Sequence, residues 1–193
     1  LAGRVKDTEQ VKLKSALRQI VTEQRTEVRL TAAQNIVLAN VSPDQKDAID
    51  AILLAHGVDT TEKQGVSEVQ LGSMACPALP TCGLSLAESE RYLPDLLGTV
   101  ENLLEENGLG DERVILRMTG CPNGCARPYM AELGFVGRRP NMYALYLGGN
   151  EEGTRLSRLY DQNVKVDELP EKLGGLFARF KAERDNSERF GDF

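Results

Sequence analysis

The sequence predicts an α+β protein in two parts: a small helix-and-hairpin unit, then a larger layer in which strands alternate with helices. Three features carry this expectation. Apolar residues recur at helical spacing among charged ones, short β-branched runs are bounded by polar residues, and a polar stretch at 59–66 separates the two patterns. With 193 residues, 41% of them hydrophobic, the chain can bury a true core.

From Val11 to Gln24, Leu13, Leu17, Ile20 and Val21 form the apolar stripe of an amphipathic helix. Glu27 to Leu30 reads as a strand, Thr31 to Gln34 as a polar turn, and Asn35 to Val41 as a second strand. Ser42-Pro43-Asp44 supplies a cap, a first-turn proline and a first-turn acid for a helix that His56-Gly57 stops, with Ala48, Ile49, Ile52 and Leu53 facing inward. The first part is therefore 1–66 and the second 67–193. In the second, Leu86 to Asn107 reads as a helix that Pro94 should kink or divide. Arg113 to Met118 is a buried strand and Asn123 to Leu133 a helix. Met142 to Leu147 is a strand ending in Gly148-Gly149, and Asp167 to Asp185 is a closing helix with Leu169, Leu173, Leu176, Phe177 and Phe180 inward.

The charge balance, 23 Lys and Arg against 29 Asp and Glu for a net −6, argues against a general nucleic-acid binder. No apolar stretch approaches the roughly 20 residues of a membrane-spanning helix, and no basic-then-apolar signal pattern opens the chain. A cytoplasmic location is expected, with a plastid location left open because the chain begins without methionine.

All four cysteines fall into two pairs, Cys76-x5-Cys82 and Cys121-x3-Cys125. Four thiolates are the ligand set of an iron–sulfur cluster or a structural zinc. Zinc sites favour tighter knuckles, and disulfides suit small secreted chains, so a cluster fits better, with zinc and disulfides still open. Ser85-Leu86-Ala87-Glu88 has capping-box spacing, and Cys125 would lie in the first turn of the helix after Pro122-Asn123. Both pairs are thus expected near helix N-termini, where free N–H groups favour thiolates. Pro77 and Pro122 follow the first cysteine of each pair and stiffen the loops.

The segment Thr119-Gly120-Cys121-Pro122-Asn123-Gly124-Cys125, with Glu132-Leu133-Gly134-Phe135 six residues on, resembles the signature of the sirohaem nitrite and sulfite reductase family. Ala75 to Cys82 resembles the family's other cysteine segment, and Arg29 to Asn35 resembles the strand-turn of its ferredoxin-like repeat. The resemblance implies a ferredoxin-like half-repeat at 1–66 and an α/β iron–sulfur and sirohaem-binding domain at 67–193. It implies a 4Fe-4S cluster on Cys76, Cys82, Cys121 and Cys125, with Cys125 shared with the sirohaem iron and Asn123 as a cofactor contact. Ala75 to Cys82, Gly124 and Arg127-Pro128 look more like assimilatory sulfite reductases than nitrite reductases. The implied activity is six-electron reduction of sulfite to sulfide. Its implied partners are an electron donor, either an NADPH-dependent flavoprotein or a ferredoxin, and the remainder of the haemoprotein. Nitrite reduction to ammonia, a haem-free electron carrier and a zinc- or cluster-stabilised binding module are the alternatives.

The basic residues with which that family grips its substrate resemble nothing here, and Ala33 replaces a frequent asparagine, so this chain alone is expected to lack a complete active site. His56 reads as a helix C-terminal residue rather than a ligand. Arg127, Arg138, Arg139, Arg155 and Arg158 are candidates for sirohaem carboxylates or solvent-facing charge. Gly148-Gly149-Asn150 either admits a ligand to the backbone or ends a strand.

Overall fold

The computed structural model describes residues 5–59, 66–185 and 187–193, and of the connection expected at 59–66, residues 60–65 lie outside that description. The chain divides into two compact units that meet between Val66 and Ser67.

The first unit is a helix, a hairpin and a helix: α1 (Leu13–Gln24), β1 (Glu27–Leu30), β2 (Ile36–Ala39) and α2 (Lys46–Ala55). β1 and β2 pair antiparallel, with Glu27 opposite Ala39 and Leu30 opposite Ile36. Ile20, Ile49 and Ile52 form the core, with Leu38 and Leu53 packed against it. The cap expected at Ser42 is present, since Gln45 Oε1 accepts from the Ser42 N–H at 3.0 Å, although a 3-10 turn over Pro43–Gln45 precedes the α-helix. His56 ends α2 with Nδ1 2.8 Å from the Ile52 carbonyl, a local helix-end role.

The second unit contains α3 (Glu68–Leu71), β3 (Met74–Ala75), α4 (Leu93–Glu106), β4 (Leu116–Thr119), β5 (Leu133–Arg139), β6 (Met142–Leu147), β7 (Arg158–Lys165) and α5 (Leu169–Glu183). Its sheet runs in the order β3-β4-β5-β6-β7, parallel through β5 and antiparallel beyond. Alternation along each strand sorts the faces. Leu116 and Met118, Leu133 and Phe135, and Tyr143 and Leu145 enter one core with Leu96, Val100 and Leu104 of α4 and Leu173, Phe177 and Phe180 of α5. The other face carries a smaller cluster of Met74, Cys76, Ala78 and Ala126.

Pro94 neither kinks nor divides a helix. α4 begins at Leu93, so the proline sits in the first turn, where no intrahelical N–H is needed. No helix starts at Ser85 either, because its hydroxyl donates to the Ala87 carbonyl at 2.8 Å instead of capping.

Lys172 of α5 ties the edge strand β7 to the helix layer through Asp161, Nζ to Oδ2 at 2.5 Å. The Lys172 ammonium, then the Asn163 N–H, holds the Asp161 carboxyl below the ordinary carboxylate range. A carboxyl lowered on folding stabilises above its unfolded pKa and loses that contribution as pH falls through its folded value. Both side chains are partly exposed, so the tie contributes less than about 1 kcal/mol. A carbon-detected NMR titration should find Asp161 low in this chain and shifted up toward the ordinary range in Lys172→Met, the Asn163 N–H still holding part of the lowering. An unchanged midpoint in the variant would remove Lys172 as the cause.

Candidate functional site

Both cysteine pairs begin just past the C-terminal ends of two hydrogen-bonded parallel strands. β3 pairs with β4, Ala75 opposite Met118; Cys76 follows β3 directly and Cys121 lies two residues beyond β4. In sheets of this kind the crevice outside the carboxyl ends of the parallel strands is where ligands are held.

Gly120 fits the two cysteine segments to each other. Its carbonyl accepts from the N–H groups of Leu86 and Ala87 at 2.8 and 3.0 Å, and its own N–H points at Cys76 Sγ at 3.4 Å. A Cβ there would come within 2.6 Å of the Ala87 carbonyl oxygen and 2.7 Å of the Ala78 methyl, so only glycine lets the segments approach. The Cys82 loop folds back on itself, the Cys82 N–H donating to the Ala78 carbonyl at 2.7 Å. Ala126, next to Cys125, packs with Cys76 and Ala78, which draws the last cysteine's turn into the same neighbourhood.

The segment expected as a helix over Asn123 to Leu133 is instead a run of turns with one 3-10 turn at Pro128–Met130, and from Leu133 it is strand β5. Gly124 at φ +68 and Arg127 at φ +52 are both left-handed, and each breaks an α-helical run. Cys125 therefore sits in a turn and gains no helix N-terminus. Cys82 gains none either, since α4 starts only at Leu93. The turn is held by the Arg127 N–H to the Gly124 carbonyl at 2.7 Å and the Tyr129 hydroxyl to the Pro122 carbonyl at 3.2 Å. Burial, then Tyr146 and Cys121, pushes the Tyr129 phenol up.

The thiols grade from inside to outside. Cys76 is 8% exposed and Cys121 7%, Cys82 is half-buried and Cys125 is exposed; all four are free. Asn123 is exposed on the same turn as Cys125. Among the described residues no three His, Cys, Asp or Glu side chains are drawn into a closed metal-ligand set as they stand. The donor chemistry nonetheless suits an iron–sulfur cluster: four free thiols on two mutually packed loops, with a backbone N–H aimed at one sulfur.

Of the arginine candidates, Arg155 is structural, donating to the carbonyls of Gly148 and Gly191 and to Asp192 Oδ1. Arg138, Arg139 and Arg158 are exposed. Gly149 packs so closely on Met130 and Ala131 that a Cβ would lie 2.5 Å from the Ala131 carbonyl oxygen, so Gly148-Gly149-Asn150 serves chain packing here.

Sequence reasoning passed over two buried charges. Glu132 is 2% exposed and Arg117 3%. Glu132 accepts from the Ile115 N–H at 2.8 Å and from Arg189 Nε at 3.0 Å. Arg117 stands on β4 with its side chain on the cysteine face, one terminal nitrogen 3.5 Å from the Arg127 carbonyl oxygen and its Nε without a hydrogen-bond partner. A charged residue between Leu116 and Met118 was the available signal: in a strand, opposite parity means the opposite face.

A family model described as the nitrite/sulfite reductase ferredoxin-like half domain matches residues 1–56. The chain is 49% identical over 191 residues to a sulfite reductase [NADPH] hemoprotein beta-component of Staphylococcus epidermidis, covering 99% of this chain and 33% of that protein. It is 46% identical to the Bacillus subtilis protein of the same description, with the same coverage, and 49% identical over 193 residues to that of Methylobacterium nodulans. Among solved structures it resembles the Mycobacterium tuberculosis NirA protein with a TM-score of 0.69 at 26% identity, covering 92% of this chain and 34% of that one. The chain thus spans about a third of the length of the curated relatives it matches.

Proposed function

Because this chain belongs to the nitrite/sulfite reductase family, we propose that it is the cluster-carrying part of a sulfite reductase, reducing sulfite to sulfide together with the remainder of a haemoprotein. In this reading Cys76, Cys82, Cys121 and Cys125 bind a 4Fe-4S cluster, Cys125 is shared with the iron of sirohaem, and Asn123 contacts the tetrapyrrole. The relatives' printed description supports sulfite over nitrite, and its NADPH supports a flavoprotein donor over ferredoxin. A cytoplasmic location goes with it; no helix among the described residues is long and apolar enough to cross a membrane.

The observation that carries the assignment is the packing of the two cysteine loops around Gly120, with burial falling from Cys76 and Cys121 to the exposed Cys125. Buried thiolates keep a cluster from solvent, whereas the exposed sulfur is the one able to serve a second metal outside the loop. When bound, the paired centres supply stored electrons and an iron at which an oxyanion is reduced. The chain's own share is to hold four sulfurs at the mouth of the sheet and to direct the Gly120 N–H at one of them, which stabilises added negative charge.

Anaerobic loading of this chain with iron and sulfide should give about four irons and four acid-labile sulfides per chain, with broad visible absorption. The parent enzyme should in addition yield an extractable tetrapyrrole and have a higher kcat/KM for sulfite than for nitrite. A colourless chain that takes up a single zinc would overturn the cluster assignment.

A further inference from the structure

Arg117 is a buried charge, 3% exposed. Among the described residues it forms no salt bridge, and Glu151, the carboxylate whose field reaches it, is held by Arg113 at 3.0 Å. Burial, with Arg127 nearby, makes its charged form less favourable than for an ordinary arginine. A guanidinium in such a place is expensive to desolvate unless something anionic answers it, and the backbone carbonyl of Arg127 is a weak answer at 3.5 Å.

The strand places that charge on the cysteine face. Arg117 is opposite Met74 in the β3–β4 register, and Met74 packs with Cys76, Ala78 and Ala126. The carbonyl it reaches belongs to the residue two beyond Cys125, in the turn whose Arg127 N–H is bound to Gly124. Its partnerless Nε means that part of its donor capacity is unused by protein groups. A centre held by the four cysteine sulfurs would supply negative charge beyond the field of Glu151, which is already paired with Arg113.

We propose that Arg117 is a positioning residue whose fixed positive charge raises the reduction potential of the centre bound by the four cysteines. The inference rests on the cluster assignment above. Adding one electron from an external reductant breaks no bond in the protein and makes an anionic centre more negative. A buried cation nearby favours the reduced form, because low local dielectric and remoteness from salt leave its field poorly screened. The hydrogen bond to Arg127 steadies the turn, but the charge is what sets the potential.

The test is an EPR-monitored redox titration of the full 193-residue chain loaded with iron and sulfide, as wild type, Arg117→Gln and Arg117→Lys. The glutamine variant, neutral yet able to donate to the Arg127 carbonyl, should titrate at a more negative potential with unchanged iron per chain, and the lysine variant close to wild type. Should Arg117→Gln fail to fold, Arg117→Met carries the same comparison, since an apolar side chain of similar reach suits a buried site. A neutral variant that holds its cluster and titrates with the wild type overturns the role of Arg117 while leaving the cluster assignment intact. So does a lysine variant displaced as far as the neutral one, which would make geometry rather than charge decisive. A wild-type chain that assembles no cluster overturns both.

Discussion

Cys125→Ser in the parent enzyme is expected to abolish sulfite reduction, by on the order of a thousandfold or more, which corresponds to ~4 kcal/mol of lost transition-state stabilisation. Cys125 is the exposed member of the four thiols, on a turn whose geometry depends on left-handed Gly124 and Arg127. Serine preserves the turn and the volume but replaces a soft, easily ionised sulfur with a hard hydroxyl that stays protonated at neutral pH. One sulfur is assigned to two metals, so its loss should disturb both the cluster signal and the tetrapyrrole absorption, and uncouple them. Cys82→Ser is the control: it removes a proposed cluster ligand from the other loop and should change the cluster signal without breaking the direct link. Mössbauer and EPR spectra of the two variants separate these outcomes. Unaltered coupling between haem and cluster in Cys125→Ser would show that another group makes the bridge.

What could be read from sequence was whatever depends on neighbours along the chain. The helices over Leu13–Gln24 and Leu169–Glu183 follow from apolar spacing, and the cap before α2 from Ser42 and Pro43. The cysteine pairing was visible because ligands on one loop must be close in sequence. The helix expected at Asn123 failed on information that was present: Arg127 precedes Pro128, whose ring disfavours the α region for the residue before it, and Gly124 readily turns left-handed. The same misreading hid β5, although Leu133 to Val136 is a compact apolar run and Pro140-Asn141 a hairpin turn. Ser85 and Glu88 had the spacing of a cap, but the Gly120 carbonyl took the N–H groups of Leu86 and Ala87, so a distant strand end decided the local fold. The surroundings of Arg117 and Glu132 were out of reach for a related reason: they are fixed by tertiary packing, Arg189 lying 57 positions beyond Glu132.

Glu132→Ala should be among the most destabilising single changes in the second unit, at about 3 kcal/mol, or a fall of roughly 10 °C in Tm. The carboxylate is 2% exposed and meets four donors: the Ile115 N–H, Arg189 through two nitrogens, and the Gly191 N–H at 3.3 Å. Alanine leaves the Ile115 and Gly191 N–H groups without their acceptor in a place water does not reach, each a penalty of about 1–3 kcal/mol. Arg189 is 43% exposed at its side chain, so its charge can rehydrate and the ionic part of the loss is the smaller one. Glu132→Gln should therefore fall between wild type and alanine, since an amide oxygen can serve some of these donors while its NH2 opposes the rest. Adding Arg189→Met to the alanine variant should cost little more, because the ion pair is already gone and only the long 3.4 Å contact to the Arg113 carbonyl is left to lose, and a double-mutant cycle by thermal unfolding measures this directly. A Glu132→Ala chain melting within about 2 °C of wild type would mean that the 189–193 segment is not fastened through this carboxylate. The same variant bears on the site. Glu132 joins the end of the Cys125 turn to β5, and its carbonyl accepts the Gly148 N–H at 3.1 Å, so loosening it frees the turn at one end. A cluster that binds only the folded chain should then restore part of the lost Tm, and the gain on loading should be present in the variant as in the wild type.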